Sequence, residues 1–150
     1  MSNGSITLIC GPSGSGKSTY LKTRPNKVII CPDDFRIVMT GQYHYPPAED
    51  MIWTVVKTVV RVLVGQQNEN VIVDATSLTV FSRKQWIQIA NELNVTIHCV
   101  YIHTSKATCK LRNSLRDRKV PDEVIDKQFA SFVLPTRDEG FCSVEKVDTE

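Results

Sequence analysis

Nine consecutive residues, Gly11-Pro12-Ser13-Gly14-Ser15-Gly16-Lys17-Ser18-Thr19, fit the phosphate-loop pattern G-x-x-x-x-G-K-[ST] in full. A chain of this length with ordinary glycine, lysine and hydroxyl usage would match it by chance only about 0.005 times. The glycines let the backbone fold into a nest whose N–H groups converge on phosphate oxygens. A helix opening at Lys17 adds its positive end. Gly11, Ser13, Gly14, Ser15, Gly16 and Thr19 are therefore expected to cradle a nucleotide, with Lys17 reaching its β and γ phosphates. Ser18 would offer a hydroxyl to Mg²⁺, a cation that takes hard oxygen ligands and keeps several waters.

Three further groups of residues could act on that nucleotide. Asp33-Asp34-Phe35-Arg36 follows a short apolar run. One carboxylate there could simply cap a helix, but a cap does not need two beside an arginine. In an open α/β sheet the carboxyl ends of the strands line one crevice, so Asp33 and Arg36 should face the phosphate loop. Asp74 ends another apolar run. It could orient a Mg²⁺ water or the Ser18 hydroxyl, or serve as a cap or structural partner of the loop. The third group is basic. Residues 105–120 hold six positive side chains and one negative, a net of +5 in a chain whose formal charge is +2, leaving −3 for the rest. Such concentration points to a local polyanion such as nucleotide phosphates.

The elements that must position these residues follow from apolar patterning. Ile6–Cys10, Val28–Ile30, Val71–Val73 and 95–102 read as buried strands of parallel type. Helices are expected from Lys17, after Pro32 to about Met39, over 48–64, over 79–93, from Lys106 to about Arg116 behind a Ser105 cap, and after Pro121 to about Val133. In the helix over 79–93, Trp86, Ile89, Ala90 and Leu93 form the apolar face, with Arg83, Lys84, Gln88 and Glu92 elsewhere. Residues 140–147 read as an edge strand and the tail beyond as frayed. Tyr43, His44 and Tyr45 lie in a Gly/Pro loop. Aromatic platforms there could stack acceptor bases; the plainer expectation is one tyrosine packed on the core and the others lining the loop. His98 reads as a core-edge residue, and no partner is evident for His103.

The order of elements implies an α/β fold: a doubly wound sheet of four or five mainly parallel strands, helices on both faces and a basic helical lid at about 105–120. A length of 150 residues suits one domain, 1–150. Five cysteines without a C-x-x-C pair or metal spacing read as reduced thiols. No apolar stretch approaches a membrane span, and a cytoplasmic location is expected.

The phosphate loop, followed by Asp-Asp-aromatic-Arg past the second strand, resembles the phage-type polynucleotide 5′-kinases and their P-loop relatives. Arg112-Asn113-Ser114-Leu115-Arg116 resembles the lid of that family. The resemblance implies that Asp33 is the general base on the acceptor hydroxyl and that Arg36 binds the acceptor's phosphate. It implies that Arg112, Arg116 and Arg118 close over the donor phosphates, with Arg116 neutralising transition-state charge. The expected activity is transfer of the γ-phosphoryl group of ATP or another NTP, with Mg²⁺, to a 5′-OH end of DNA or RNA. A kinase of a small-molecule hydroxyl, whether nucleoside, sugar or antibiotic, would use the same base but leave Arg36 without a phosphate. A non-catalytic nucleotide switch is the other alternative; no N-K-x-D motif is present, and the chain is short for a full ring-forming ATPase module.

Overall fold

A computed structural model of the chain describes residues 3–25 and 27–150. Its strands are β1 (Ser5–Cys10), β2 (Val28–Ile30), β3 (Asn70–Asp74), β4 (Thr96–His103) and β5 (Ser143–Asp148). Its helices are α1 (Lys17–Leu21), α2 (Pro32–Thr40), α3 (Glu49–Gly65), α4 (Val80–Leu93), α5 (Lys106–Ser114) and α6 (Asp122–Ser131). The strands form one parallel sheet in the order β2-β3-β1-β4-β5. The first strand is thus central. Its partners in register are β3, with Ile9 opposite Asp74, and β4, with Ile9 opposite Val100.

One face of the sheet carries the larger core. Ile6, Leu8 and Cys10 of β1, Val71 and Val73 of β3, and Ile97 and Cys99 of β4 pack in one cluster with α3 and α4. The α3 contribution is Ile52, Val56, Val60 and Val64, four residues apart and each at most 1% exposed. Valines lose side-chain freedom in a helix, so this apolar stripe, pressed on the sheet, is what holds α3. Trp86 belongs to the same core and meets Trp53 edge-on at 6.4 Å between ring centres. On the opposite face Ile9, Ile72, Val100 and Ile102 pack with Leu21 of α1.

Several local expectations are corrected. No Asp caps α2: Cys31 is the N-cap and makes no side-chain cap, Pro32 takes the first helical position, and Asp33 and Asp34 lie in the first turn. Carboxylates there favour the helix through its dipole rather than by capping. Ser105 does cap α5, accepting from the Thr108 N–H at 3.2 Å. That helix ends at Ser114, so Arg116 stands beyond it and does not share a helical face with Arg112. No tyrosine of residues 43–45 packs in the core; Tyr43 and Tyr45 are both exposed. His98 is half-buried with Ser143 as its partner at 2.8 Å, and His103 has a partner in the Tyr101 hydroxyl at 2.9 Å.

The tail is ordered by specific contacts. Thr149 N–H donates to the His103 carbonyl at 3.0 Å, and Glu150 accepts from Ser105 N–H at 2.8 Å and from Ser105 Oγ at 2.7 Å. The Ser105 backbone donor, followed by the Ser105 and Thr108 hydroxyls, holds the Glu150 carboxyl down at about 2.

Arg83 is not on a solvated face. Its side chain is completely buried and pairs with Glu139, Nε to Oε1 at 2.9 Å and Nη2 to Oε2 at 3.2 Å. It also donates to the Ser77 carbonyl at 2.9 Å, at a backbone position of φ 47°. One arginine thus joins the turn after β3 to the segment before β5. Arg83→Ala should lower stability by about 3–5 kcal/mol, because Glu139 would be left as a buried charge without its cation, keeping the Thr136 N–H as a neutral partner. Urea denaturation measures this; a loss under about 1 kcal/mol would show the pair to be dispensable.

Candidate active site

The phosphate loop is shaped by two glycines and held from behind. Gly14 and Gly16 have φ of 81° and 103°, conformations open to glycine at little cost. A Cβ on Gly14 would also run into the Cys109 carbonyl of α5. The loop is closed by Ser15 N–H to Pro12 O at 3.1 Å and tied to the β3 side by Gly11 N–H to Thr76 O at 3.0 Å. Gly16 is the N-cap of α1 and supplies no side-chain acceptor, so the first N–H groups of that helix have no cap. Since α1 has only five residues, the nest itself contributes more than a helix dipole.

Lys17 Nζ folds back on the loop, donating to the carbonyls of Gly11 at 2.8 Å and Pro12 at 3.0 Å. Enclosure pushes its pKa down, while the negative charge of Asp74 opposes that shift. The reverse holds for Asp74, whose carboxyl is pushed up by burial and pulled down by Lys17.

Lys17, Ser18 and Thr19 open with Asp33 and Asp74 onto a cleft of about 520 Å³. Ser13, Gly14 and Gly16 form the loop side of its wall, and Arg112, Arg116 and Arg118 approach from the lid. Gly11, Ser15 and Arg36 are off that wall. Ser15 is fully buried, its Oγ has no hydrogen-bond partner among the described residues, and its carbonyl accepts from Thr149 Oγ1 at 2.6 Å and Arg112 Nη1 at 3.2 Å.

The three lid arginines have different surroundings. Arg112 is tied to Ser15 O, to Thr149 Oγ1 at 3.1 Å and to the Thr149 carbonyl, so it braces the loop. Arg118 donates to Asp33 Oδ2 at 2.9 Å and lies over the Tyr43 ring, 3.6 Å from its centre. The exposed Arg116 guanidinium makes no hydrogen bond or ion pair among the described residues. Of the three lid arginines it is the one free to meet an incoming charge.

Asp33 is held by two arginines, Oδ1 by Arg36 at 2.6 Å and Oδ2 by Arg118 at 2.9 Å. Burial pushes its carboxyl up, but hydrogen bonds and charge from Arg118 and Arg36 outweigh burial and keep it below its ordinary value. Arg36 spends the rest of its fork on Glu49, at 3.1 Å from Nε and 2.5 Å from Nη2. Glu49 in turn accepts from the Trp53 ring N–H at 3.0 Å.

Magnesium fits the donors present. A hydroxyl on Ser18 and a carboxylate on Asp74 share the cleft wall, and a phosphate-bound Mg²⁺ needs only one or two protein oxygens. No cluster of three or more acidic, histidine or cysteine ligands occurs among the described residues, so the set suits this mode rather than an all-protein cage.

Sequence reasoning missed the supports of the loop. Gln128 of α6 accepts from Ser13 N–H at 2.8 Å and donates to Ser13 Oγ at 3.1 Å, and Thr149 acts as described above. Neither lies in a motif. Val120, also on the wall, had only its place before Pro121 to mark it.

Parallel sheet, phosphate loop and basic lid define a P-loop kinase-like domain. The chain belongs to the AAA domain family, whose model matches residues 6–135. It is 27% identical over 148 residues to the bifunctional polynucleotide phosphatase/kinase of Schizosaccharomyces pombe, covering 95% of this chain and 33% of that protein. The chain thus spans about a third of that curated relative. A chain of the Pnkp1/Rnl/Hen1 RNA repair complex superposes with a TM-score of 0.77 at 23% identity, covering 87% of this chain and 44% of that one. The APS kinase CysC of Mycobacterium tuberculosis, solved with AMPPNP and APS, superposes with a TM-score of 0.65 at 16% identity, covering 100% of this chain and 92% of that one. No helix among the described residues is long and apolar enough to cross a membrane.

Proposed function

We propose that the chain is an ATP-dependent polynucleotide 5′-hydroxyl kinase, passing the γ-phosphoryl group of ATP or another NTP to a 5′-OH end of DNA or RNA. The observation that carries this reading is Asp33, a carboxylate on the same cleft wall as Lys17 and oriented by two arginines. The polynucleotide phosphatase/kinase name of the relative from S. pombe supports the choice of acceptor.

In this reading Lys17 exchanges its two loop carbonyls for phosphate oxygens. Asp33, ionised at neutral pH, accepts the proton of the acceptor hydroxyl. The acceptor oxygen bonds to the γ-phosphorus as the bond to the β,γ-bridging oxygen breaks, and Arg116 meets the charge on the transferring group. Ser18 and Asp74 would hold Mg²⁺, which when bound neutralises charge on the β and γ phosphates. Arg36 takes the phosphate flanking the acceptor nucleoside by giving up Glu49.

One observation favours a second reading, a kinase of a small-molecule hydroxyl. The Arg36 fork is occupied by Asp33 and Glu49 and is off the cleft wall. The deciding experiment offers γ-labelled ATP with 5′-OH oligonucleotides, free nucleosides and sugars. Label should pass to the oligonucleotides; equal or better labelling of a sugar or nucleoside would select the second reading. No transfer to any acceptor would favour a nucleotide switch.

With the preferred acceptor, Asp33→Asn should slow the chemical step by about 10² to 10⁴, the range for a positioned general base. ATP affinity should change little. A crippled Asp34→Ala beside an active Asp33→Asn would reassign the base to the neighbouring carboxylate.

A further inference from the structure

Between α2 and α3 the chain places one aromatic side chain on the cleft wall, Tyr43. It lies outside any helix or strand and is 43% exposed, so the core has no claim on its ring. The Arg118 guanidinium covers that ring at 3.6 Å from the centre, the spacing of two stacked planar groups. The same guanidinium donates to Asp33 Oδ2. A ring, a flat cation and the proposed proton acceptor therefore stand in series along one wall.

We infer that Tyr43 is the platform on which the acceptor's 5′-terminal base stacks, and that Arg118 covers this face until the base arrives. The inference rests on the polynucleotide reading and deepens it, making Tyr43 a determinant of acceptor specificity. Every nucleobase has a flat π-face, so a tyrosine platform favours acceptors that carry a base without choosing among bases. The face covered by Arg118 cannot hold a base at the same time. When the base takes that face, Arg118 leaves it and also gives up Asp33 Oδ2, so stacking frees one oxygen of the proton acceptor. A sugar or an abasic end does neither. Tyr45, although equally exposed, does not line the cleft.

The test uses two short 5′-OH oligonucleotides that differ only in whether the 5′-terminal nucleotide carries a base or is abasic. Wild type should favour the base-bearing acceptor by about ten- to a hundredfold in kcat/KM, mostly through KM, in line with the stacking of one base on an aromatic ring. Tyr43→Phe should keep that preference. Tyr43→Ala should erase it, lowering use of the base-bearing acceptor to the abasic level. Without ATP, an oligonucleotide with 2-aminopurine at its 5′ end should be quenched by wild type and Tyr43→Phe but not by Tyr43→Ala. Circular dichroism melting checks that each variant folds. A preference or a quench that survives Tyr43→Ala overturns this inference alone, as does a wild type indifferent to the missing base. A protein that phosphorylates no oligonucleotide overturns the polynucleotide reading, and this inference with it.

Discussion

Lys17→Ala is expected to abolish phosphoryl transfer while leaving the fold in place. Among the described residues Nζ donates only to two carbonyls of its own loop, and the core clusters do not include Lys17. Removing it takes nothing from the two apolar clusters. It does remove the cation proposed to meet the β and γ phosphates, and it leaves Asp74 without the charge that most stabilises its ionised form. The variant should show wild-type circular dichroism and a near-normal melting midpoint, with turnover below detection in the labelled-ATP assay. Near-normal transfer at saturating ATP would remove the phosphate loop from the mechanism.

Arg116→Ala should follow closely, with a loss of about 10³ or more in kcat, the scale for an arginine aimed at a transferring phosphoryl group. Arg116→Lys should recover little, because the guanidinium fork can hold two phosphate oxygens at once and an ammonium is a point charge. Arg112 is bound into the scaffold and Arg118 is engaged with Asp33 and Tyr43. Arg112→Ala should therefore cost stability as well as activity, whereas Arg116→Ala should leave the melting midpoint unchanged. Equal activity of Arg116→Lys and wild type would contradict the assignment.

Most of the architecture was legible because it rests on local signals. The strand before the loop, the apolar stripe of α3 and the Ser105 cap each need only a few neighbouring residues to be recognised, and parallel pairing follows from the helices between strands. The arginines show where local reading stops. Spacing of four between Arg112 and Arg116 implies a shared face only while the helix lasts, and α5 ends at Ser114. Sequence pattern sets Arg83 apart from the apolar face of α4 because its partner, Glu139, is 56 residues away. Fold topology makes that meeting; composition does not announce it. The same is true of Gln128 and Thr149 behind the loop. For Arg36, the sequence showed a cation near Asp33 but not that Glu49, at the start of α3, would take most of its donors.

The hydrogen bond from Thr149 to the carbonyl of Ser15 joins residues 134 apart. Thr149 follows directly on β5, which pairs with β4, which itself pairs with β1. During synthesis the residues of the phosphate loop emerge well before Thr149, which braces them. Contacts of such long sequence separation form slowly, after the chain entropy between them has been lost. A nascent chain stopped before β5 would carry the whole G-x-x-x-x-G-K-S stretch without the Thr149 part of its brace. Full bracing of the loop is thus tied to completion of the sheet, and under the proposed function ribosome-bound intermediates of this chain would hold a nucleotide less firmly than the finished domain.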